Sequence, residues 1–193
     1  MPYDEWTEEG IVRGLRNDDP RALDVLVWRW YRPLLAFVLG YVESVEAAED
    51  VLQELFIRVW KRRAALDPTT SLRSYLYAAA RNVALNARER QLVRRRHEAD
   101  SALAAGPPVD RHDVMAQVER DELGHAVRAA VASLSERGRE VYLLSFQHGL
   151  SYREIAATLG ISVPTVQTHI ARAIATLGRK LRPFLVMMFL FHR

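Results

Sequence analysis

The stretch "LSYREIAATLGISVPTVQTHIARA", Leu150 to Ala173, constrains the fold more than any other. Ser151 and Glu154 stand in the S-x-x-E spacing of a capping box, in which each side chain takes a backbone N–H that the first helical turn leaves without a partner. Ile155, Ala156 and Leu159 then share one helical face. Gly160 falls where a left-handed residue ends a helix. Ser162 can cap a second helix, and Pro164 suits its first turn. Two helices joined by so short a turn have to cross, and the small Ala156 and Ala157 would let them cross closely. The spacing predicts a helix-turn-helix. Ile161 is expected to plug its core, with Val166, Ile170, Ala173, Ile174 and Leu177 as the buried stripe of the second helix.

Projected at roughly 100° per residue, the second helix turns Thr168 and Arg172 outward. Pro164, Thr165, Ala171 and Ala175 share that side, and Gln167 and His169 flank it. An ordinary surface helix carries several acid–base pairs; this face has no acid. Small residues permit close approach to a DNA groove, where Gln, Thr, His and Arg can bond base edges or phosphates. Arg179, Lys180 and Arg182 at the far end suit phosphates. A helical hairpin with a solvated polar face is the plainer alternative, and the absence of acids weighs against it.

The rest of the chain also reads as helix. Nine glycines in 193 residues are few, and no Val/Thr/Ile run alternates with period two. Thr7 caps a short helix with Ile11, Val12 and Leu15 on one face. Asp19 caps the next, with Pro20 as its first residue and Pro33 expected to kink or split it. Val45, Ala48, Leu52, Leu55 and Val59 form one stripe at spacings of three and four. "DPTTS" is a turn, and "LRSYLYAAARNVALNARERQLVRRR" is a helix that becomes strongly basic. Gly-Pro-Pro, small residues and acids between His97 and Asp113 read as a linker. Helical periodicity resumes from Val114 to Leu134, followed by helices at Glu136 to His148, Tyr152 to Leu159 and Val163 onward. The expected fold class is all-α: two small helical domains, 1–96 and 114–193, joined by a flexible linker, 97–113, the second ending in the helix-turn-helix.

Several function classes are set aside. Cysteine is absent, which excludes disulfides, thiolate metal sites and a cysteine nucleophile. The six histidines are scattered without metal-ligand spacing, and no phosphate-cradling glycine loop occurs. Neither catalysis, a metal, a cofactor nor a small-molecule substrate is expected. The acidic N-terminus has no apolar run of the signal-peptide kind, so a cytoplasmic location is expected. "FLVMMFLF", Phe184 to Phe191, falls short of the about 20 apolar residues of a membrane span. It reads either as a terminal helix completing the core or as a contact surface for another protein. The net charge of +3 permits a nucleic-acid partner without requiring one.

The helix "AEDVLQELFIRVW" carries more than amphipathicity needs. Asp50, Gln53, Glu54 and Trp60 lie opposite its core stripe, and Glu54 and Arg58 are spaced as an i,i+4 pair. Phe56, Ile57 and Trp60 beside these charges argue for a protein partner, because aromatic side chains anchor interfaces.

This block, "LRSYLYAAARN" and the helix-turn-helix, in that order, resemble the extracytoplasmic-function (ECF) sigma factors, small two-domain bacterial transcription initiation factors. The resemblance covers nearly the whole chain. It implies that Asp50, Gln53, Glu54, Phe56 and Trp60 bind core RNA polymerase at the clamp helices of its largest subunit, with a further contact at the flap region. It implies minus-10 promoter contacts from Asp67, Thr69, Thr70 and Ser71 in the turn, whose loop would hold a flipped base. Tyr75 and Asn82 can stack on or bond that base; Tyr77 is as readily a core residue. Arg81, Arg88, Arg90, Arg94, Arg95 and Arg96 would hold the DNA backbone, since they crowd together with only Glu89 among them and like charges repel unless an anion is present. Ser162, Pro164, Thr165, Gln167, Thr168, His169, Arg172 and Arg179 would meet the minus-35 element in the major groove. The linker acids Glu98, Asp100, Asp110 and Asp113 would lie in a basic channel of the polymerase, unless the linker is a plain tether. Family members often carry Arg where this chain has Gln167 and His169, which lowers the phosphate affinity expected here. The tail after Pro183 departs from the core family pattern and is expected to pack on the second domain or to meet an anti-sigma factor or other regulator. A stand-alone helix-turn-helix transcriptional regulator is the alternative function; such a protein has no need of the polymerase-facing helix.

Overall fold

A computed structural model describes residues 5–101, 127 and 129–191, with side chains described for residues 5–96, 127 and 129–182. Among the described residues every regular element is helical. The chain divides into two compact units, Met1–Arg111 and His112–Arg193.

In the first unit each helix begins on a side chain suited to start it. Thr7 accepts from the Gly10 N–H at 3.0 Å and opens α1 (Glu8–Arg16), which buries Ile11, Val12 and Leu15. Asp19 accepts from the Arg21 N–H at 3.0 Å and opens α2 (Pro20–Val38). Ser44 accepts from the Ala47 N–H at 3.2 Å and opens α3 (Val45–Lys61), which buries Ala48, Val51, Leu52, Leu55 and Val59. A 3₁₀ turn (Arg63–Ala65) and the Asp67–Ser71 turn lead into α4 (Leu72–Ser101). Gly14 lets α1 meet α2 closely: a Cβ there would stand 2.7 Å from the Ala22 Cβ. Leu15, Leu26, Leu34, Leu52, Leu55, Leu76 and Tyr77 are fully buried, each a gain of roughly 1.5–3 kcal/mol for an aliphatic side chain.

In the second unit, residues 129–132 are helical and α5 (Glu136–Phe146) starts on Ser135. Then come α6 (Tyr152–Leu159) and α7 (Val163–Phe191). Both halves of the Ser151–Glu154 capping box form. Gly160 closes α6 at φ 64°, ψ 36°, and the Ile161 N–H returns to the Ala156 carbonyl at 3.1 Å. Ile155, Ala156, Leu159, Val166 and Ile170 are buried. Lower on α7, Ala173 and Leu177 pack with Ala130 and Leu134, flanked by Val131, Tyr142 and Leu181.

Several expectations are corrected. Pro33 does not split its helix: α2 runs from Pro20 to Val38, and burial of Trp30, Leu34 and Phe37 on both sides of the proline outweighs its missing hydrogen bond. The basic helix continues to Ser101, past the expected boundary at His97, because neither Gly nor Pro interrupts it before Gly106. Ile174 is 51% exposed rather than buried, Ala157 is exposed at the helix crossing, and Ile161 is only half-buried. The packing from residues 130–134 covers Ala173 and Leu177 but leaves Ile174 open. The backbone of α7 extends through Pro183 to Phe191, while the side chains of the apolar run, like most of the linker, lie outside the described residues.

Gly160 gives a direct test. A Cβ at this position meets nothing within 4 Å, so substitution acts through the backbone alone. Gly160→Ala is expected to destabilise the second unit by about 1 kcal/mol, and Gly160→Asn by less, since Asn tolerates the left-handed region. Urea unfolding of the full chain measures both.

Candidate functional site

The structure groups the candidate residues into three surfaces. The first is the outer face of α3. Asp50, Gln53, Glu54, Ile57, Arg58 and Lys61 line a shallow depression there. Asp50 and Gln53 are exposed, Phe56 and Trp60 half-buried, and Ile57 is 46% exposed. The Trp60 ring lies under the Arg63 guanidinium, 4.4 Å from the ring centroid, and Arg63 also donates to the Trp60 carbonyl at 2.8 Å. Asp18, itself left-handed at φ 58°, takes the other side of that guanidinium. Partial burial pushes the Glu54 carboxyl up, but the Arg58 and Arg90 guanidiniums together draw it below the ordinary range.

The second surface forms where the Asp67–Ser71 turn meets α4. Val12, Ala65, Leu66, Asp67, Thr70, Leu72 and Tyr75 line a cavity of about 160 Å³, so Asp67, Thr70 and Tyr75 come together. The turn is held from within. The Asp67 carboxylate accepts from the Thr69 N–H at 2.8 Å and the Thr69 hydroxyl at 2.7 Å, and the Thr70 hydroxyl donates to the Asp67 carbonyl at 2.9 Å. Hydrogen bonds from Thr69 lower the Asp67 carboxyl further, assisted by the positive charge of Arg16. Ser71 is half-buried and accepts from the Ser74 N–H, so it caps α4. Asn82 is exposed and Arg81 half-buried along the same helix. Tyr77 is excluded from this surface: it is 1% exposed, edge-on to Phe37 at 5.0 Å and to Trp30 at 6.3 Å.

Farther along α4 the arginines are not as bare as their local sequence implies. Arg90 pairs with Glu54 at 3.3 Å, and Arg95 pairs with Glu43. The counter-anions come from the same chain, so crowding of positive charge does not by itself demand DNA. Arg88 is half-buried, whereas Arg94 and Arg96 are exposed and meet no acid among the described residues.

The third surface is the outer face of α7. Ser162 accepts from the Thr165 N–H at 3.3 Å and shares a hydrogen bond with the Thr165 hydroxyl at 2.8 Å. Thr168 donates its hydroxyl to the Pro164 carbonyl at 2.9 Å, which leaves its methyl and an acceptor lone pair facing out. Pro164, Thr165, Gln167, Thr168, Arg172 and Arg179 are exposed, and His169 is half-buried. No acid among the described residues pairs with Arg172, Arg179 or Arg182, and α7 has no Asp or Glu along its length. No local pattern points to Val12 in the cavity or to Glu43 beside Arg95; both arrive through tertiary packing. Among the described residues no group of three or more His, Asp or Glu could hold a metal ion.

Comparison with known proteins places the chain in a family. The model for Sigma-70 region 2 matches residues 26–94, and that for Sigma-70, region 4 matches residues 124–177. Together they define a sigma factor of the sigma-70 type. The RNA polymerase sigma-H factor of Pseudomonas aeruginosa is 27% identical over 187 residues, covering 92% of this chain and 95% of its own length. The ECF RNA polymerase sigma-E factor of Escherichia coli K12 is 27% identical over 189 residues, covering 94% and 98%. A probable RNA polymerase sigma factor of Xanthomonas campestris reaches 31% over 150 residues, 76% of this chain but 37% of its own. The fold is shared with CnrH, solved in complex with the cytosolic domain of CnrY, at 23% identity and a TM-score of 0.64 over 91% of this chain and 97% of that one. It is also shared with RpoE of Bartonella quintana, solved with the anti-sigma factor NepR, at 23% identity and a TM-score of 0.59 over 81% and 94%. The chain belongs to the ECF sigma factor family. It directs core RNA polymerase to specific promoters and aids DNA opening in transcription initiation; sigma factors are initiation factors, not enzymes in themselves. Among the described residues no helix is long and apolar enough to cross a membrane.

The placement of Tyr77 has a measurable consequence. Burial pushes its hydroxyl up to about 12, with Arg73 pulling weakly the other way. The folded chain therefore keeps a proton that the unfolded chain loses near pH ~10, so stability is full below that pH and falls as pH rises toward 12. Tyr77→Phe removes this ionisation. The alkaline loss of stability is expected to shrink by about 2 kcal/mol, read from urea unfolding above and below pH ~10. Equal losses in both proteins would show that Tyr77 titrates normally.

Proposed function

We propose that the three surfaces divide the work of a sigma factor. The α3 face binds core polymerase through Asp50, Gln53, Glu54, Phe56 and Trp60. The turn and α4 meet the minus-10 element, with Asp67, Thr69, Thr70, Ser71, Tyr75 and Asn82 around an unpaired base and Arg81, Arg88, Arg90, Arg94 and Arg95 on the backbone. The outer face of α7, Ser162 to Arg179, enters the major groove of the minus-35 element. We assign these roles to domains 1–96 and 114–193, with 97–113 as the connection.

The observation that carries this reading is the cavity at the foot of α4. An unstacked base needs an apolar wall, an aromatic edge and polar atoms within reach. Leu66, Leu72 and Tyr75 supply the first two, and Asp67 and Thr70 the third. A regulator acting on closed duplex has no use for such a cavity beside a polymerase-facing helix. The two relatives of known fold were solved with the cytosolic domain of CnrY and with the anti-sigma factor NepR. That supports a regulatory protein partner for this chain, acting in the cell interior where polymerase is found, with the apolar tail after Pro183 as one contact.

Reconstitution with core polymerase and sequencing of transcript start sites tests the whole reading: a shared pair of upstream elements is expected. Tight, specific duplex binding by the isolated chain, unaffected by core polymerase, would favour the stand-alone regulator. Gln53→Ala with Glu54→Lys is expected to abolish polymerase binding, more than tenfold in Kd, and to leave the melting transition near that of the parent. Arg172→Ala is expected to weaken upstream promoter recognition by roughly 1–3 kcal/mol and to spare polymerase binding. Equal loss of both activities in either variant contradicts the division.

A further inference from the structure

Two arginines that the proposed function assigns to DNA already hold an anion in the free chain. Gln91 and Arg95, one turn apart on α4, both reach Glu43 in the connection before α3. Gln91 Nε2 donates to Glu43 Oε2 at 3.3 Å. The Arg95 guanidinium donates one N–H to Oε1 at 3.2 Å and a second to Oε2, a two-pronged pair. Arg90 donates a single N–H to Glu54 Oε2 at 3.3 Å. Arg94 and Arg96, on the same helix, meet no acid among the described residues. The guanidinium fork that takes a carboxylate in two parallel hydrogen bonds takes a phosphate with the same geometry. Carboxylate and phosphate therefore compete for one set of donors on Arg95.

We propose that Glu43 is an internal stand-in for a DNA phosphate: it holds Arg95 in the free protein, and contact between that arginine and promoter DNA requires the pair to open. The proposal rests on the reading of the α4 arginines as DNA contacts. Its strength suits a competitor rather than a lock. The Arg95 side chain is 54% exposed and that of Glu43 30%, and pairs so open to water are weak. DNA on a polymerase-bound chain can displace Glu43, whereas DNA meeting the free chain finds one fewer available cation. Glu43 thereby lowers stray binding of the free protein, at a cost to the final complex no larger than that of opening one exposed pair.

The test is a double-mutant cycle on the full chain without polymerase, read by anisotropy of a fluorescent single-stranded oligodeoxynucleotide over a range of salt. Glu43→Gln is expected to tighten binding by about two- to fivefold. It should also steepen the plot of log K against log salt by about 0.7, the value for one added phosphate contact on a single strand. In the Arg95→Ala background, Glu43→Gln is expected to give none of this gain. A comparison that leaves Glu43 intact serves as a second arm: Arg94→Ala should cost the free protein more affinity than Arg95→Ala. Unchanged or weaker binding by Glu43→Gln, or a gain that survives loss of Arg95, overturns the proposal. Promoter-directed transcription measured alongside separates the two failures. If Arg94→Ala and Arg95→Ala lower transcription yet Glu43→Gln leaves free binding alone, only the role of Glu43 falls. If no α4 arginine affects either DNA binding or transcription, the assignment of α4 to DNA falls with it.

Discussion

Burial of Tyr77 against Phe37 and Trp30 sets the rotation of α4, and the placement of the first unit's candidate surfaces depends on that rotation. A helix with Leu76, Tyr77, Ala80, Val83 and Ala84 turned inward has no freedom about its axis. Tyr75 is then left at the cavity and Asn82 in solvent. The same rotation carries Arg90 to Glu54 and Arg95 to Glu43. A core contact thus decides which polar groups can meet a ligand several turns away. Aromatic pairs in edge-on geometry suit this task, because they add roughly 0.5–1.5 kcal/mol of orientation-dependent energy to a large burial term.

What was legible in the sequence was local. The capping box, the left-handed glycine and the restart at Ser162 each depend on residues within four positions, and all three form. Helix starts at Thr7 and Asp19 are legible for the same reason. The misreadings share one cause, a partner distant in sequence. A fixed projection of α7 cannot tell how wide its buried stripe is; the packing around Ala130 and Leu134 ends at Ala173 and leaves Ile174 in water. Pro33 carries a real local cost, which neighbouring core residues outweigh. The positions proposed to face polymerase and DNA were legible only as resemblance. Which of them share a surface, as Asp67, Thr70 and Tyr75 do, depends on the meeting of α1, the turn and α4.

The arginines show the same limit in electrostatic form. Read along the chain, the stretch from Arg88 to Arg96 holds five arginines and one acid, Glu89. In space, Glu43 and Glu54 join it from 52 and 36 residues away. The basic end of α7 receives no such visitor among the described residues. Two stretches that look alike in composition therefore stand in different states: the α7 face is open to an anion at once, and part of the α4 face is occupied.

Glu54 gives that difference a direction. It lies on the face assigned to polymerase and also holds Arg90, a residue assigned to DNA. A partner that draws Glu54 into its own interface takes one counter-charge away from Arg90 and leaves that exposed guanidinium open to another anion. A DNA phosphate is the anion that the assembled complex can offer. Under the roles proposed above, polymerase binding and the availability of Arg90 to DNA would be linked through this single carboxylate. The linkage is reciprocal: DNA that takes Arg90 leaves Glu54 freer for the polymerase. Arg58, one turn along α3, pairs with the same carboxylate, so Glu54 stands between a neighbour on its own helix and one on α4.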